Sequence, residues 1–365
     1  MPEPLNIAFF GSSLVSSYWN GAATYYRGII HALHRLGHRV TFYEPDAFER
    51  QQHRDIDDPD WAKVVVYPGE GESGVEAALE QARGADVVVK ASGVGVFDAW
   101  LEREVLRLQG ERTAVLFWDV DAPATLERVD QDHGDPFREL VPRYDMVLTY
   151  GGGPRVVSAY RELGARECVP VYNALDPATH HPVPRDPRFV ADLGFLGNRL
   201  PDREERVDRF FFEAARRAPS RRFLLGGSGW DEGVPSNVER LGHVSTRDHN
   251  AFNCSARMVL NVNRESMARF GWSPPTRVFE AAGAGACLIV DAWEGIEDFL
   301  EPGTEVLVAE DGLQVAEYLE SVGSGSAAAI GERARKRLLA DHTYDHRARQ
   351  VEDLLCARTR AEALA

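Results

Sequence analysis

The sequence has few positive charges relative to its negative ones. Its 365 residues contain 41 Lys and Arg residues and 57 Asp and Glu residues, so the formal net charge is −16. Non-specific binding to nucleic acid or to an anionic membrane requires a basic field, so neither kind of partner is expected. Phosphate groups can still be bound locally by individual arginines and by helix N-termini.

Cysteines and long apolar runs are also scarce. The four cysteines, at positions 168, 254, 287 and 356, include no C-x-x-C pair, so neither a zinc site nor a disulfide framework is indicated. Reduced thiols in a cytoplasmic protein are the expectation. No apolar run approaches the roughly 18 residues that span a bilayer. The start of the chain, MPEPLNIAFFGSS, lacks the basic and apolar segments of a signal peptide.

Apolar runs alternate with helical periodicity along nearly the whole chain. The first half contains NIAFFG, RVTFYEP, KVVVYP, DVVVKASG, TAVLFWDVD and MVLTYGGG, and the second contains ADLGFLGN, RFLLGGSG, MVLNVNR and CLIVD. Apolar runs without polar alternation indicate strands that are buried on both faces of a parallel sheet. Strand–helix–strand repetition indicates βαβ units. The sequence therefore predicts an α/β protein with two doubly wound sheets.

A proline-rich stretch divides this pattern. DPATHHPVPRDPRF holds four prolines and no periodicity, so residues 176–189 are predicted to be a linker. Residues 1–175 then form a first domain and residues 190–343 a second. GSGSAAA, from Gly323, is predicted to be a short loop. Ligands of open α/β sheets bind at the carboxyl ends of the strands, so the residues that follow the strands are the candidates for a site.

The loop after the first strand, GSSLVSSYWN, is the first candidate. It is too long and too poor in glycine for a dinucleotide fingerprint. Ser12, Trp19 and Asn20 are predicted to contact a ligand or acceptor, although a solvent loop packed through Trp19 fits the pattern equally well. Tyr25, in the next helix, suits either a ring-bearing acceptor or the core.

Two further candidates follow later strands of the first half. In FWDVDAP, Asp119 and Asp121 could hold a divalent cation, act as a general base, or cap the strand end and the turn. In TYGGGPRV, Gly151 and Gly152 precede a helix, where backbone N–H groups can bind an anion or lie against a sugar ring. The alternative for these glycines is a tight turn that needs positive φ.

The second half places small residues and arginines after successive strands. Guanidinium groups bind phosphate in a bidentate manner, so several arginines near helix starts predict a diphosphate site. The candidates are Gly197, Asn198, Arg199, Arg203, Gly227, Ser228, Asn263, Arg264, Thr276 and Arg277. Each arginine taken alone is more typical of a solvated surface, and only their convergence at successive strand ends favours a site.

Glu280 lies one turn after Arg277 on a helix that continues as AAGAGAC. A carboxylate at a ligand site accepts two hydroxyl hydrogen bonds, which suits a ribose diol. The small residues that follow allow the helix to approach the sheet closely. We therefore predict that Arg277 provides charge and that Glu280 binds a diol.

Several segments together resemble the CgeB-like glycosyltransferases of the GT-B type, which are related to glycosyltransferase family 4. They are RVFEAAGAGACLIVD (277–291), FLEPGTEVLV (299–308), HTYDHR (342–347), YDMVLTYGGGPRVVSAYRELGA (144–165) and NALDPATHHP (173–182). The resemblance implies two Rossmann-like domains that face each other across a cleft. It also implies that the acceptor binds mainly to the first domain, that the donor binds mainly to the second, and that a final helix (344–365) packs back on the first.

The resemblance further implies a metal-independent transfer of a sugar from a nucleoside-diphosphate sugar to a saccharide or small-molecule acceptor, with no cofactor. Glu280 takes the position of the ribose-binding Glu. Family 4 usually has another Glu eight positions earlier, where this sequence has Trp272, and its basic pair corresponds to Arg199 with Arg203. If the reaction inverts, Asp121 is the first choice of base and Asp119 the second. If it retains, the departing phosphate accepts the proton.

Two alternatives remain open. One is a nucleotide-sugar epimerase, which needs no acceptor. The other is a degenerate GT-B protein that binds a sugar nucleotide or a partner without turnover, and Trp272 in place of Glu favours it. A homodimer is compatible with either of them and with the transferase.

Overall fold

The structure of the protein is a computed structural model that describes residues 3–362, with side chains described as far as residue 356. The chain forms two compact units. One contains the chain up to Asn173 and again from Tyr344, and the other contains Ala174–Thr343. None of the helices within residues 3–362 is long and apolar enough to cross a membrane.

The first unit is built on a seven-stranded sheet in the order β3-β2-β1-β4-β5-β6-β7, with every pairing parallel. The strands are β1 (Asn6–Phe10), β2 (Arg39–Asp46), β3 (Lys63–Pro68), β4 (Val87–Ala91), β5 (Ala114–Asp119), β6 (Met146–Thr149) and β7 (Cys168–Pro170). The connecting helices are α1 (Ala23–Arg35), α2 (Glu72–Gln81), α3 (Asp98–Glu104), α4 (Ala122–Gln131), α5 (Phe137–Leu140) and α6 (Gly153–Glu162).

The second unit is built on a six-stranded parallel sheet in the order β10-β9-β8-β11-β12-β13. Its strands are β8 (Leu193–Leu196), β9 (Phe223–Gly226), β10 (Val238–Gly242), β11 (Met258–Asn261), β12 (Leu288–Asp291) and β13 (Leu307–Ala309). Its helices are α7 (Glu204–Val207), α8 (Glu213–Arg217), α9 (His249–Ser255), α10 (Glu265–Phe270), α11 (Thr276–Gly283), α12 (Gly312–Ser321) and α13 (Ser324–Asp341).

The central strands of both sheets are buried along their whole length. Every residue of β4 and β5 in the first sheet, and of β8, β11 and β12 in the second, is buried. Helices cover both faces of such a sheet, so the strand sequences carry no polar alternation. The predicted α/β class with two doubly wound sheets is confirmed.

Two elements differ from the expectations. The edge strand β10 has the sequence VERLG and is buried only at its first residue, so it has no apolar run by which the sequence would reveal it. The segment GSGSAAA is not a loop, because α13 begins at Ser324 and runs on without a break. Its alanines are strong helix formers, and Ala327 is buried in the core of the second unit.

The last helix, α14 (Tyr344–Glu362), belongs to the first unit and packs against α1. A Cβ atom at Gly28 of α1 would lie 2.2 Å from the Tyr344 ring, so the ring occupies the space that the glycine leaves. At the C-terminal end of α1, Arg35 pairs with Asp345 at 2.6 Å. Helices α1 and α14 are far apart in the sequence, but their surfaces are complementary in shape and in charge.

A second close approach fixes α13 in the other unit. A Cβ atom at Gly331 of α13 would lie 2.1 Å from the carbonyl oxygen of Gly285, in the turn between α11 and β12. That neighbour is backbone and cannot rotate away. Gly325, in the first turn of the same helix, has nothing within 4 Å of its Cβ position.

We expect Gly331→Ala to destabilise the protein by about 1–3 kcal/mol, because the added methyl group forces α13 away from the turn. Gly325→Ala is the matched control, and its higher helix propensity should leave stability unchanged or raise it by up to ~1 kcal/mol. The unfolding temperature, followed by circular dichroism, measures both. Equal stabilisation by the two substitutions would contradict the close contact.

Candidate functional site

The loops that follow β8 and β9 contact each other at the carboxyl edge of the second sheet. The Arg199 N–H donates to the Ser228 carbonyl at 2.9 Å, and the Ser228 N–H donates to Asn198 Oδ1 at 3.0 Å. Gly227 has a φ of 128°, and a Cβ there would lie 2.2 Å from the Gly197 carbonyl oxygen. The structure thus brings together all five small and polar residues that the sequence predicted for these two loops.

Arg203 lies directly beneath these loops and is mostly buried. Its guanidinium donates to the Asn198 carbonyl, while its Nε has no hydrogen-bond partner within the described part of the chain. Burial and the nearby positive charges of Arg277 and Arg264 lower the pKa of Arg203 to about 10, against the opposing effect of Asp202. Three arginines are therefore close enough to repel one another at this edge.

The loop after β11 adds Asn263 and Arg264. Arg264 pairs with Asp202. Asn263 is 1% exposed, and its N–H donates to the buried Asp291 at 2.9 Å. Its Oδ1 accepts from Asn261, but its Nδ2 finds no partner among residues 3–362. This buried donor is therefore available to an external acceptor.

Glu280 is 8% exposed and lies among three basic side chains of the same unit. Its carboxylate oxygens are 3.4 Å from Arg277 Nη1, 3.8 Å from His180 Nε2 and 3.9 Å from His249 Nδ1. Burial alone would raise the pKa of Glu280, but Arg277 and then the histidines outweigh it, so the pKa is lowered. The carboxylate is therefore ionised at neutral pH, although it is buried.

His180 and His249 were not predicted. His180 belongs to the predicted linker, and its Nδ1 lies 2.9 Å from Thr179 Oγ1. His249 is the first residue of α9, and its Nδ1 lies 3.3 Å from Arg277 Nη1. The only sequence signal was the His180–His181 pair in a stretch otherwise free of periodicity, and nothing marked His249.

These two histidines and Glu280 could also hold a metal ion, because one ligand atom from each lies within 4.8 Å of the others. The set of two imidazoles and one carboxylate is typical of zinc. Arg277, however, already approaches both Glu280 and His249. Its guanidinium supplies positive charge at the same place, so an ion and Arg277 would compete for these ligand atoms.

Trp272 is the residue that the resemblance to family 4 aligns with that family's first Glu. It has a φ of 40°, its Nε1 donates to Asp298 Oδ2 at 2.6 Å, and its N–H donates to the Glu294 carbonyl. A Cβ at Gly295 would lie 2.5 Å from the indole. The indole is thus built into the loop before α11, and no carboxylate stands at this position.

In the first unit, Asp119 and Asp121 are placed differently. Asp119 is completely buried and accepts hydrogen bonds from Ser92 (2.7 Å), Thr125 (3.1 Å) and Tyr160 (2.5 Å), and from the Asp121 N–H (3.0 Å). Burial raises the pKa of Asp119 despite these bonds. Asp121 is half-buried at the start of α4. The geometry favours Asp121 over Asp119 as the carboxylate that an acceptor can reach.

The predicted acceptor residues of the first unit also differ in how accessible their side chains are. Ser12 Oγ donates to Asn20 Oδ1 at 2.9 Å, and both residues are buried inside their loop. Tyr25 is completely buried and accepts a hydrogen bond from Trp118 Nε1 at 3.0 Å. Trp19, by contrast, is 73% exposed. Only the last of these four side chains is freely accessible to a ligand.

Gly151 and Gly152 follow β6 and precede α6. Gly152 has a φ of 97°, and a Cβ there would lie 2.0 Å from a methyl group of Val156. Both glycines are buried. The turn therefore requires Gly152 for conformational and steric reasons, whether or not a ligand binds at this edge.

Known proteins resemble this chain in sequence over part of its length and in fold over nearly all of it. A family model described as "Glycosyl transferase-like" matches residues 203–353. No curated protein matches the sequence. Sucrose-phosphate synthase from Thermosynechococcus elongatus is similar in structure, with a TM-score of 0.69 and 14% identity over 98% of this chain and 100% of that one. The fold is GT-B.

Two other solved structures share this GT-B fold. Anabaena HepE, in complex with UDP and glucose, matches with a TM-score of 0.64 and 14% identity over 97% of this chain and 100% of that one. An alpha-glucosyltransferase in complex with UDP and a DNA containing an HMU base matches with a TM-score of 0.69 and 11% identity, again over 97% and 100%. Identities this low establish the fold and leave the activity of this chain to be argued from its residues.

His249 should make stability depend on pH. Burial, followed by the charge of Arg277, lowers its pKa to about 4 in the folded protein, whereas an exposed histidine titrates near 6.5. Between these values only the unfolded state binds the proton. Stability contributed by this group is therefore complete above about pH 6.5 and is lost as the pH falls towards 4, by up to about 3 kcal/mol.

We expect His249→Gln to flatten the fall in unfolding temperature between pH 7 and pH 4, measured relative to the wild type. His133→Gln, which removes an exposed histidine, is the control and should leave the slope unchanged. If the unfolding temperature of His249→Gln falls with pH as steeply as that of the wild type, the His249 imidazole is not held neutral in the folded protein.

Proposed function

We propose that this protein is a metal-independent glycosyltransferase that moves a sugar from a nucleoside-diphosphate sugar to a saccharide or small-molecule acceptor. The GT-B fold and the match of residues 203–353 to a glycosyl transferase-like family model support the general activity. The finer assignment, to a cytoplasmic CgeB-like enzyme related to family 4, rests on the sequence motifs. The protein has no nucleic-acid partner in this proposal and could act as a homodimer.

The observation that carries the proposal is the arginine cluster at the carboxyl edge of the second sheet. Arg277 and Arg264 both lower the pKa of the mostly buried Arg203. Arg264 pairs with Asp202 and Arg277 with Glu280, but Arg203 pairs with no carboxylate among the described residues. Burying its charge costs free energy, and a bound anion would offset that cost. A diphosphate offers several oxygens to guanidinium donors. The cluster therefore supports binding of the donor's diphosphate in this unit.

Glu280 supports the nucleoside end of the same ligand. It is ionised, buried and one turn after Arg277 on α11. Two carboxylate oxygens in such a position can accept both hydroxyls of a ribose. Asn198, Gly227 and Ser228 line the neighbouring loops, and Asn263 offers a spare buried donor. Gly197, Arg199, Arg264 and Thr276 complete the proposed donor site.

The chemistry follows from these groups. The acceptor oxygen attacks the anomeric carbon, and the bond from that carbon to the diphosphate oxygen breaks. Arg203 and Arg277 stabilise the charge that develops on the leaving diphosphate, as a metal ion would elsewhere. If the configuration inverts, Asp121 takes the acceptor proton. If it is retained, an oxygen of the leaving phosphate takes it.

A second candidate is a protein that binds a sugar nucleotide without transferring the sugar. Trp272 favours it, because the indole is hydrogen-bonded into its loop where family 4 usually has a carboxylate near the transferred sugar. This candidate predicts binding of the intact donor with no release of nucleoside diphosphate. The two candidates therefore share the donor site and differ in turnover.

The donor site is tested by thermal shift with UDP, other nucleoside diphosphates and their sugars, in the presence of EDTA. A ligand that binds only the folded state raises its unfolding temperature. We expect Arg203→Gln and Glu280→Gln each to weaken binding roughly 10- to 100-fold, as loss of a charged hydrogen bond does.

Arg222→Gln is the charge-matched control for these variants. Arg222 immediately precedes β9, at the amino edge of the same sheet, where it pairs with the exposed Glu239. The Arg222→Gln variant should bind nucleotide as the wild type does. Absence of any shift with every nucleotide, or equal weakening in all three variants, would contradict the proposed donor site.

The base is tested by release of nucleoside diphosphate from the sugar nucleotide that gives the largest shift. For an inverting enzyme, Asp121→Asn should lower kcat by roughly 10²- to 10⁴-fold while nucleotide binding stays unchanged. Asp119→Asn should instead lower the unfolding temperature, because its buried hydrogen bonds are disturbed. Unchanged turnover in Asp121→Asn would remove Asp121 from the mechanism and favour proton transfer to the phosphate.

A further inference from the structure

Three exposed aromatic side chains lie on two neighbouring loops of the first unit. Tyr18 and Trp19 follow β1, and Phe48 follows β2, its partner in the sheet. Trp19 is 73% exposed and Phe48 52%. The other large apolar residues that are exposed within residues 3–362 are the aliphatic Val66, Val190 and Leu313. Exposed rings are thus confined to this place in the described chain.

Two of these rings stand on strained backbone. Trp19 has a φ of 47° and Phe48 a φ of 54°, a region that bulky side chains rarely adopt. Such a conformation costs about 1–3 kcal/mol per residue and persists only when the surrounding structure enforces it. The Phe48 ring packs on Arg50 and against Gly95, where a Cβ would lie 2.6 Å from it, whereas the Trp19 ring is left largely in solvent. Strained residues of this kind cluster at ligand sites.

A single buried arginine holds both loops in this shape. Arg50 donates to the carbonyls of Ser12 (3.3 Å), Val94 (3.3 Å) and Trp19 (3.4 Å), and its guanidinium lies 5.0 Å from the centre of the Phe48 ring. The rings are therefore fixed in advance, and a ligand that stacks on them does not have to order them.

The loop after β1 is fixed from below as well. The Asn20 amide donates to the carbonyls of Ser13 and Ser16, each at 2.9 Å. Tyr18 stacks on His53 with ring centres 4.1 Å apart, which ties this loop to the segment after β2. The buried candidates Ser12 and Asn20 thus support the loop, and the exposed rings are its ligand-facing part.

The surroundings of the rings are acidic. Asp46 and Glu49 are exposed and flank Phe48 in the chain, and Asp55 accepts hydrogen bonds from the N–H and the hydroxyl of Ser17, next to Tyr18. Arg27 pairs with Asp55, and the buried Arg50, 5.0 Å from the centre of the Phe48 ring, is offset by Glu44. Asp46 and Glu49 therefore leave an excess of negative charge beside Phe48. A phosphorylated or carboxylated ligand would be repelled here, and an amine would be attracted.

We infer that Tyr18, Trp19 and Phe48 form an aromatic platform for the acceptor, and that the acceptor is a saccharide without negative charge, with amine-bearing saccharides preferred. The inference rests on the proposed function and names its second substrate. The apolar face of a sugar ring stacks on aromatic rings, and an amine gains both from the ring faces and from the carboxylates.

Three monosaccharides that share the glucose ring and differ in charge test this inference: glucosamine, with an amine at C2, glucose, and glucose 6-phosphate. Trp19 is the reporter, through the indole N–H signal in a spectrum of ¹⁵N-tryptophan-labelled full-length protein, assigned with Trp19→Phe. We expect saturable shifts of that signal with glucosamine, weaker ones with glucose and none with glucose 6-phosphate. No shift with any sugar, or tighter binding of the phosphate, would overturn the inference.

Phe48→Ala tests the platform as a unit, with Leu313→Ala, an exposed apolar residue of the other unit, as the control. Phe48→Ala should weaken glucosamine binding roughly two- to tenfold, and Leu313→Ala should leave it unchanged. Equal affinity in the two variants would overturn the platform.

UDP thermal shifts on the same samples separate this inference from the proposed function. A normal UDP shift without any Trp19 response would overturn the platform and leave the donor site standing. A Trp19 response without a UDP shift would overturn the donor site and leave the platform standing.

Discussion

The position of α11 is the constraint on which the candidate site of the second unit depends. Two glycines determine this position, because neither has room for a side chain. A Cβ atom at Gly283 would lie 2.2 Å from Leu175, and a Cβ atom at Gly331 would lie 2.1 Å from the Gly285 carbonyl oxygen. The chain before β8 and the helix α13 therefore both press directly on the backbone of α11 and its following turn. Glu280 faces His180 because Gly283, one turn later, lets the His180 backbone approach closely.

This close packing makes the electrostatics of the site collective. Glu280 remains ionised in a buried place chiefly because Arg277 lies beside it, and His249 remains neutral because burial and the same arginine disfavour a second positive charge. Arg203 adds a further cation whose pKa is lowered by its neighbours. Arg277 pairs with Glu280 and Arg264 with Asp202, whereas Arg203 donates to a backbone carbonyl and lies close to both of these arginines.

Sequence reasoning predicted the buried strands well and the side-chain contacts poorly, for physical reasons. Strands buried on both faces produce apolar runs, whereas β10 is exposed and charged and leaves no such signal. His180 and His249 reach Glu280 from segments far away in the chain, and no local pattern encodes that meeting. The D-x-D pair marked the right strand end, but only packing shows that Asp119 is enclosed while Asp121 is not. Hydrophobic periodicity in the sequence therefore predicts the fold, whereas the geometry of the site depends on tertiary contacts.

The return of α14 to the first unit has a consequence for biosynthesis. Ribosomes deliver the chain from its N-terminus, and domains generally fold as they emerge. The surface of α1 around Gly28 stays uncovered until Tyr344 emerges from the ribosome, and Tyr344 emerges only after all of Ala174–Thr343. The second unit can therefore complete its core first, although it is encoded later. A translation arrest within the second unit would leave the first unit with an open hydrophobic face, a target for chaperones and proteases.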